Sequence, residues 1–292
     1  MKRSRGAVAR PVKPMSVSAR FNLLSPKRQE TIRPALEHPR EYVLLSVRAL
    51  ATRLGTDPAT TVRIVRGMGF GSYREFQHYL HELSIARATS FDSMKTGTAG
   101  KRTLSLQTKA SLDQDSKNIS RLNQTYDPRQ IARLVQRIYD AQQIVLLGGD
   151  LASTLVTFLE HHLMILGLPV SSATSPAEAV HRARLLSKRD LVIAITFGRG
   201  LRQTVEGLRQ AWENRAHCVG VTDTAVSPIC QFAHECFLVP VDAPSFGPSY
   251  VAPMALINLI VMACANHKRS RTMAILKKLQ EEQRHGFRWY ES

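Results

Sequence analysis

Apolar residues follow two different periods along this 292-residue chain. In the first third they recur at helical spacing. Val47, Leu50, Ala51 and Leu54 stand at i, i+3, i+4 and i+7, which predicts a helix over about 47–54. Gly55 supplies a turn. Asp57 and Pro58 then suit the N-cap and first position of a second helix, over about 58–67. That helix can turn Val62, Ile64 and Val65 to a core and Ala59, Thr60, Arg63 and Arg66 outward. An earlier helix is expected over about 27–37, behind Ser25-Pro26. A later one is expected from Tyr73 to about Ala88, with Phe76, Tyr79, Leu80 and Leu83 at helical spacing. Periodicity then lapses in SMKTGTAGKRT, which begins at Ser93 and holds two glycines; residues 93–107 read as a linker.

Beyond the linker the pattern changes. Helices are expected near 108–122 and 128–140. Short, near-continuous apolar runs follow at 144–147, 169–172, 191–196, 218–222 and 236–239. They alternate with helical stretches at about 152–166, 176–186, 201–214 and 226–233, and a last helix is expected over about 250–266. Continuous apolar strands alternating with helices specify a parallel sheet covered on both faces. Right-handed crossovers make it a doubly wound, flavodoxin-like α/β/α sandwich of five strands. The expected fold is therefore α followed by α/β. Its parts are a basic tail (1–20) without structure of its own, a helical domain (21–92), the linker, an α/β domain (108–266) and a basic C-terminal tail (267–292).

Charge sharpens this division. The net charge is +17. Residues 1–20 carry six Lys or Arg and no acid, whereas residues 125–265 balance eleven bases against eleven acids. A basic helical end joined to a neutral α/β end suits a polyanion partner at one end only. The four cysteines, Cys218, Cys230, Cys236 and Cys264, form no C-x-x-C pair and lie in or beside apolar runs. They read as reduced thiols in a cytoplasmic protein, with no metal. The basic N-terminus lacks the apolar core of a secretion signal. The apolar run 254–265 is too short to span a bilayer and contains Asn258, so no membrane association is expected.

Helix, tight turn and helix, with small residues opening an arginine-bearing second helix, is the shape that enters a DNA major groove. Arg63 and Arg66 can reach guanine edges or phosphates. The candidate DNA-contacting residues are Arg48, Asp57, Ala59, Thr60, Arg63, Arg66 and Tyr73. The expected partner is double-stranded DNA. A two-fold homodimer, or a homotetramer, would read a palindromic operator. An RNA-binding or nucleoid-associated protein could use the same charge, without sequence preference.

The stretch VRALATRLGTDPATTVRIVRGMGFGSYREFQHYL resembles the N-terminal domain of the RpiR/MurR family of bacterial transcriptional regulators. Gly55, Pro58, Ala59, Thr60, Arg63, Gly69, Phe70 and Tyr73 carry the resemblance; Asp57 stands where the family usually has Ser. That family joins its DNA reader to a sugar isomerase (SIS) domain, and three segments here are similar to one: IVLLGGDLAS, DLVIAITFGRGLRQTVEGL and HCVGVTDTAVSPICQFAHECFLVPVD. The resemblance implies a regulator of carbohydrate or related metabolism, without a cofactor. Its small effector, a sugar phosphate or sugar acid, would be held where two strand-to-helix loops meet.

The effector-site candidates are Gly148, Gly149, Asp150, Ala152 and Ser153 in the first loop and Thr196, Phe197, Gly198, Arg199 and Gly200 in the second. Both loops depart from the family pattern. Asp150 falls where a second spaced glycine would lie, and Ala152 on the usual Ser. Thr196 replaces the first Ser of S-x-S-G-x-T, Gly198 the second, Arg199 the Gly and Leu201 the Thr. Three readings stay open. Arg199 grips a phosphate or carboxylate in place of the lost hydroxyls; or Asp150 and Arg199 recognise some other ligand; or they pair with each other and the domain only dimerises. Sugar-phosphate isomerisation needs a general base, usually Glu or His. The pocket loops offer only Asp150, so no enzyme activity is expected.

Overall fold

The computed structural model describes residue 21 and residues 24–86, 103–198, 200–225, 227–244 and 246–284. The expected N-terminal tail, most of the linker, the last eight residues and Arg199 lie outside the described residues. The chain divides into two compact units, residues 1–85 and 86–292.

The first unit is helical: α1 (Pro26–Glu37), α2 (Pro39–Tyr42), α3 (Val47–Arg53), α4 (Pro58–Gly67) and α5 (Tyr73–Ala86). Local chemistry fixes the α3–α4 corner. Ser46 caps α3 by accepting the Ala49 N–H at 3.3 Å. Gly55 takes φ +65°, a left-handed conformation that glycine adopts without a Cβ penalty. Asp57 caps α4 by accepting the Thr60 N–H at 2.8 Å, with Pro58 behind it. Ile32, Leu36, Leu50, Ile64, Met68, Phe76 and Leu80 close the core. One expected core position differs: Thr61 is fully buried, while Val62 is only half-buried. The Thr61 hydroxyl donates to the Asp57 carbonyl at 3.1 Å, so its polar atom enters the core satisfied.

The second unit continues with α6 (Leu104–Thr125), α7 (Pro128–Asp140), β1 (Ile144–Leu147), α8 (Ala152–Ile165), β2 (Val170–Ala173), α9 (Pro176–Arg184), β3 (Leu191–Ile195), α10 (Arg202–Glu213), β4 (His217–Thr222), a 3-10 turn (Pro228–Gln231), β5 (Glu235–Leu238), α11 (Val251–His267) and α12 (Arg269–Arg284). The five strands are all parallel, in the order β2-β1-β3-β4-β5. Alternation along each strand feeds two cores. Ile144, Leu146, Ile193 and Val219 meet Leu134, Ile138, Leu159 and Ile257 from α7, α8 and α11 on one face. Val145, Leu147, Val192 and Cys218 meet Ala179, Ala183, Leu208 and Ala211 from α9 and α10 on the other. Each large side chain so buried contributes about 1.5–3 kcal/mol. The sheet is the doubly wound one expected.

Three segments differ from expectation. α6 begins at Leu104, inside the stretch read as linker. The expected helix at 226–233 is only the short 3-10 turn. The stretch read as a basic tail from 267 contains α12, which packs through buried Thr272 and half-buried Ile275 and Leu279. Arg271 fastens it by donating to the Gly167 carbonyl at 2.9 Å. Among the described residues no single helix is long and apolar enough to cross a membrane.

Candidate functional site

At the first site α4 presents its N-terminal face. Ala59, Arg63 and Arg66 are exposed, Thr60 is half-exposed, and Arg48 is exposed on α3. Three of these residues form a chain of contacts. Arg63 Nη2 donates to Thr60 Oγ1 at 3.1 Å, and Arg63 Nε donates to the Ala59 carbonyl at 3.4 Å. Hydrogen bonds from the Thr60 side chain, then from the Thr60 N–H, hold the Asp57 carboxyl below its usual range. The carboxylate that departs from the family pattern is thus engaged at the helix start, with a guanidinium one turn behind it.

Tyr73 is placed differently. Its hydroxyl donates to the Leu45 carbonyl at 2.7 Å, and burial pushes it up to about 12. Gln77 donates to the Val43 and Leu45 carbonyls, at 3.1 and 2.9 Å. Together they fasten α5 to the chain entering α3. Tyr73 therefore serves the scaffold, and its hydroxyl is taken before any phosphate arrives. Sequence reasoning missed Lys27 and Arg28, which line an open cleft with Thr56, Asp57 and Thr60. The signal was present as two basic residues opening α1.

The second site lies at the carboxyl ends of β1 and β3. These strands are neighbours, and their loops lead into α8 and α10 on opposite faces of the sheet. That divergence opens the crevice where such folds bind ligands. Gly148 and Gly149 are held small by contact. A Cβ on Gly148 would stand 2.6 Å from Val156 Cγ2; one on Gly149 would stand 2.4 Å from Gln203 Nε2 and 2.6 Å from Leu201 Cδ2. Gln203 in turn donates to the Thr174 carbonyl at 3.0 Å. Asp150 is exposed and takes φ +53°, a left-handed conformation that Asp tolerates better than most residues. Ala152 is buried, and the Ser153 hydroxyl donates to the Asp150 carbonyl at 2.6 Å.

In the second loop, buried Thr196 accepts the Leu201 N–H on its Oγ1 at 3.0 Å. Gly198 and Gly200 take φ +66° and +74°. The Gly198 N–H donates to Asp223 Oδ1 at 2.9 Å. The Phe197 ring lies 5.2 Å from that of Tyr250. Burial, then the negative charges of Asp150 and Asp223, push the Tyr250 hydroxyl up to about 12. Asp223, Tyr250 and Gln203 complete this site beyond the sequence-derived residues. Asp223 sits directly after β4, in the next strand-end loop, which is where a search by topology finds it. Among the described residues no group of three or more His, Cys, Asp or Glu side chains is placed to hold a metal ion.

Residues 137–263 match the SIS domain family. The chain is similar to the HTH-type transcriptional regulator HexR of Pseudomonas aeruginosa, 25% identical over 229 residues and 77% of each chain. An uncharacterized HTH-type transcriptional regulator of Haemophilus influenzae is also 25% identical, over 64% of this chain and 66% of its own. The sugar isomerase domain of an RpiR transcription factor from Sphaerobacter thermophilus superimposes with a TM-score of 0.57 at 24% identity, over 62% of this chain and 99% of its own. The chain carries a SIS domain and is similar to HTH-type transcriptional regulators. The second unit holds the SIS domain, and the helical unit precedes it in the chain. The same two-unit fold recurs in Vibrio vulnificus NanR, solved with ManNAc-6P, at a TM-score of 0.56 and 18% identity over 93% of this chain and all of that one.

Proposed function

We propose that this chain is an RpiR-type regulator that binds a specific DNA sequence through α4 and controls transcription in response to a small sugar derivative held in the SIS crevice. The observation that carries the reading is the exposed Ala59–Thr60–Arg63–Arg66 face on a helix capped and braced at its start. The relative named HexR is a transcriptional regulator, and the neighbour NanR was solved with a sugar phosphate. In this reading a two-fold homodimer reads two half-sites of a palindromic operator. We assign no catalysis, because the relatives are named as transcriptional regulators.

The SIS domain offers a path from ligand to linker. The segment that carries Tyr250 is pinned to α6, the first helix after the linker. Asn118 donates to the Asp242 carbonyl at 2.8 Å, Arg121 pairs with the Asp242 carboxylate, and the Ser249 hydroxyl donates to Asp115. A ligand that moves Tyr250 pulls on α6 and so on the chain leading to the reader. The ligand must bind two arrangements with different affinity to act in this way.

Footprinting across the gene's own promoter tests the reading. A discrete, palindromic protected region is expected; uniform coating of DNA or RNA would replace it with a nonspecific binder. Arg63→Ala is expected to cost about 1–3 kcal/mol on the operator and less on unrelated DNA. Equal loss on both, read by gel shift, would reduce Arg63 to a phosphate contact.

A further inference from the structure

Two of the four cysteines meet at their sulfurs. Cys230 lies in the 3-10 turn Pro228–Gln231 and Cys236 in β5. The Cys236 S–H donates to Cys230 Sγ at 2.8 Å, within about 1 Å of a disulfide bond's length. Gly220 of β4, the register partner of Cys236, leaves the space they occupy. A Cβ there would stand 2.8 Å from Cys236 Sγ and 3.2 Å from Ile229 Cδ1. Both thiols are free and only half-buried. Cys218 and Cys264 are fully buried, and burial pushes each up to about 12.

The hydrogen bond also sets an order of attack. Cys236 is pushed up first by its hydrogen bond to Cys230, then by burial and by the charges of Cys230 and Glu235. The proton therefore stays on Cys236 and points at Cys230, which favours a thiolate there. The thiolate is the nucleophile of thiol chemistry. The turn that carries Cys230 borders the ligand end of the sheet. Its S–H donates to the Thr224 carbonyl at 3.8 Å, in the loop after β4. A Cβ on Gly200, in the loop after β3, would stand 3.4 Å from Pro228 Cδ.

We propose that Cys230 and Cys236 form an oxidation site, which a hydroperoxide converts to an intramolecular disulfide that ties this turn to the edge strand β5. The Cys230 thiolate attacks one peroxide oxygen. The O–O bond breaks, the other oxygen leaves as water once protonated, and Cys230 becomes a sulfenic acid. The Cys236 sulfur then attacks the Cys230 sulfur. The S–O bond breaks, the S–S bond forms, and the hydroxyl leaves with the Cys236 proton as water. Two thiols lose two hydrogens and two electrons, and the peroxide takes them up. This goes beyond the regulator reading and does not depend on it.

The test uses the folded full chain and hydrogen peroxide, followed by alkylation of the remaining thiols and peptide mapping. The wild type is expected to fall from four free thiols to two, lose the mass of two hydrogens, and join the peptides holding Cys230 and Cys236. Dithiothreitol should restore all four. A wild type that keeps four thiols overturns the proposal. So does one that joins either sulfur to Cys218, Cys264 or a second chain, or one that dithiothreitol cannot restore. None of these readings requires a variant to fold. The order of attack is read with dimedone, which traps sulfenic acid. Cys236→Ser should accumulate the Cys230 adduct, and Cys230→Ser should trap about tenfold less on Cys236. Equal trapping in the two variants would overturn Cys230 as the attacking sulfur. Neither DNA nor a sugar enters the measurement, so failure of the regulator reading would leave its outcome standing.

Discussion

At the scale of single residues, several side chains that read as contacts have structural work of their own. Tyr73 shows the difference best. Its ring sits in an aromatic cluster with Phe76, and its hydroxyl holds Leu45. Tyr73→Phe is expected to lower unfolding stability by about 0.5–1.5 kcal/mol, measured in urea. Operator affinity per folded molecule should stay unchanged, whereas a DNA contact would lose affinity at constant stability. His217 makes a second case. It stacks on His234 at 4.7 Å, and burial, then the charges of Arg137 and His234, push it down to about 4. The unfolded chain therefore takes up this proton first, near its ordinary 6.5. The stability it protects is whole above that value, falls as pH drops towards 4 and levels off below. After discounting for partial exposure the loss is on the order of 1–2 kcal/mol. Urea melts at pH 7 and 4.5 should differ less in His217→Gln than in the wild type.

At the scale of elements, legibility in the sequence followed how completely an element is buried. β1, β3 and β4 are covered on both faces and flanked by strands, and their continuous apolar runs announced them. The edge strands β2 and β5 are only partly buried, and each lies one residue from where the pattern suggested. α12 was hidden because its inward residues, Thr272, Ile275 and Leu279, are scattered among exposed bases. The crevice was legible in its glycines and illegible in Asp223 and Tyr250, which reach it from later loops. α6 was legible as a helix, though not in its fastening to residues 242–249 through fully buried Asn118. Asn118→Ala should reduce the effect of ligand on operator affinity, a coupling typically worth about 1–3 kcal/mol. Fluorescence anisotropy with and without ligand measures it. Coupling that survives intact in a folded variant would place the path elsewhere.

At the scale of the whole molecule, charge and topology divide the work. The acids and bases of residues 125–265 cancel, so the excess of +17 belongs to the segments around the SIS domain. Operator affinity should therefore fall linearly on a log–log plot against salt. Removing residues 1–20 is expected to make the slope shallower by roughly 0.9 for each phosphate that this segment neutralises, on specific and nonspecific DNA alike. An unchanged slope in filter-binding titrations would mean that its six bases never touch the duplex.

The backbone at Asp150 has a genetic corollary. Its φ of +53° is one that glycine adopts freely. Both codons for Asp become codons for Gly by a single transition. The exposed carboxylate of this loop is thus one nucleotide from being removed, with no rebuilding of the backbone required.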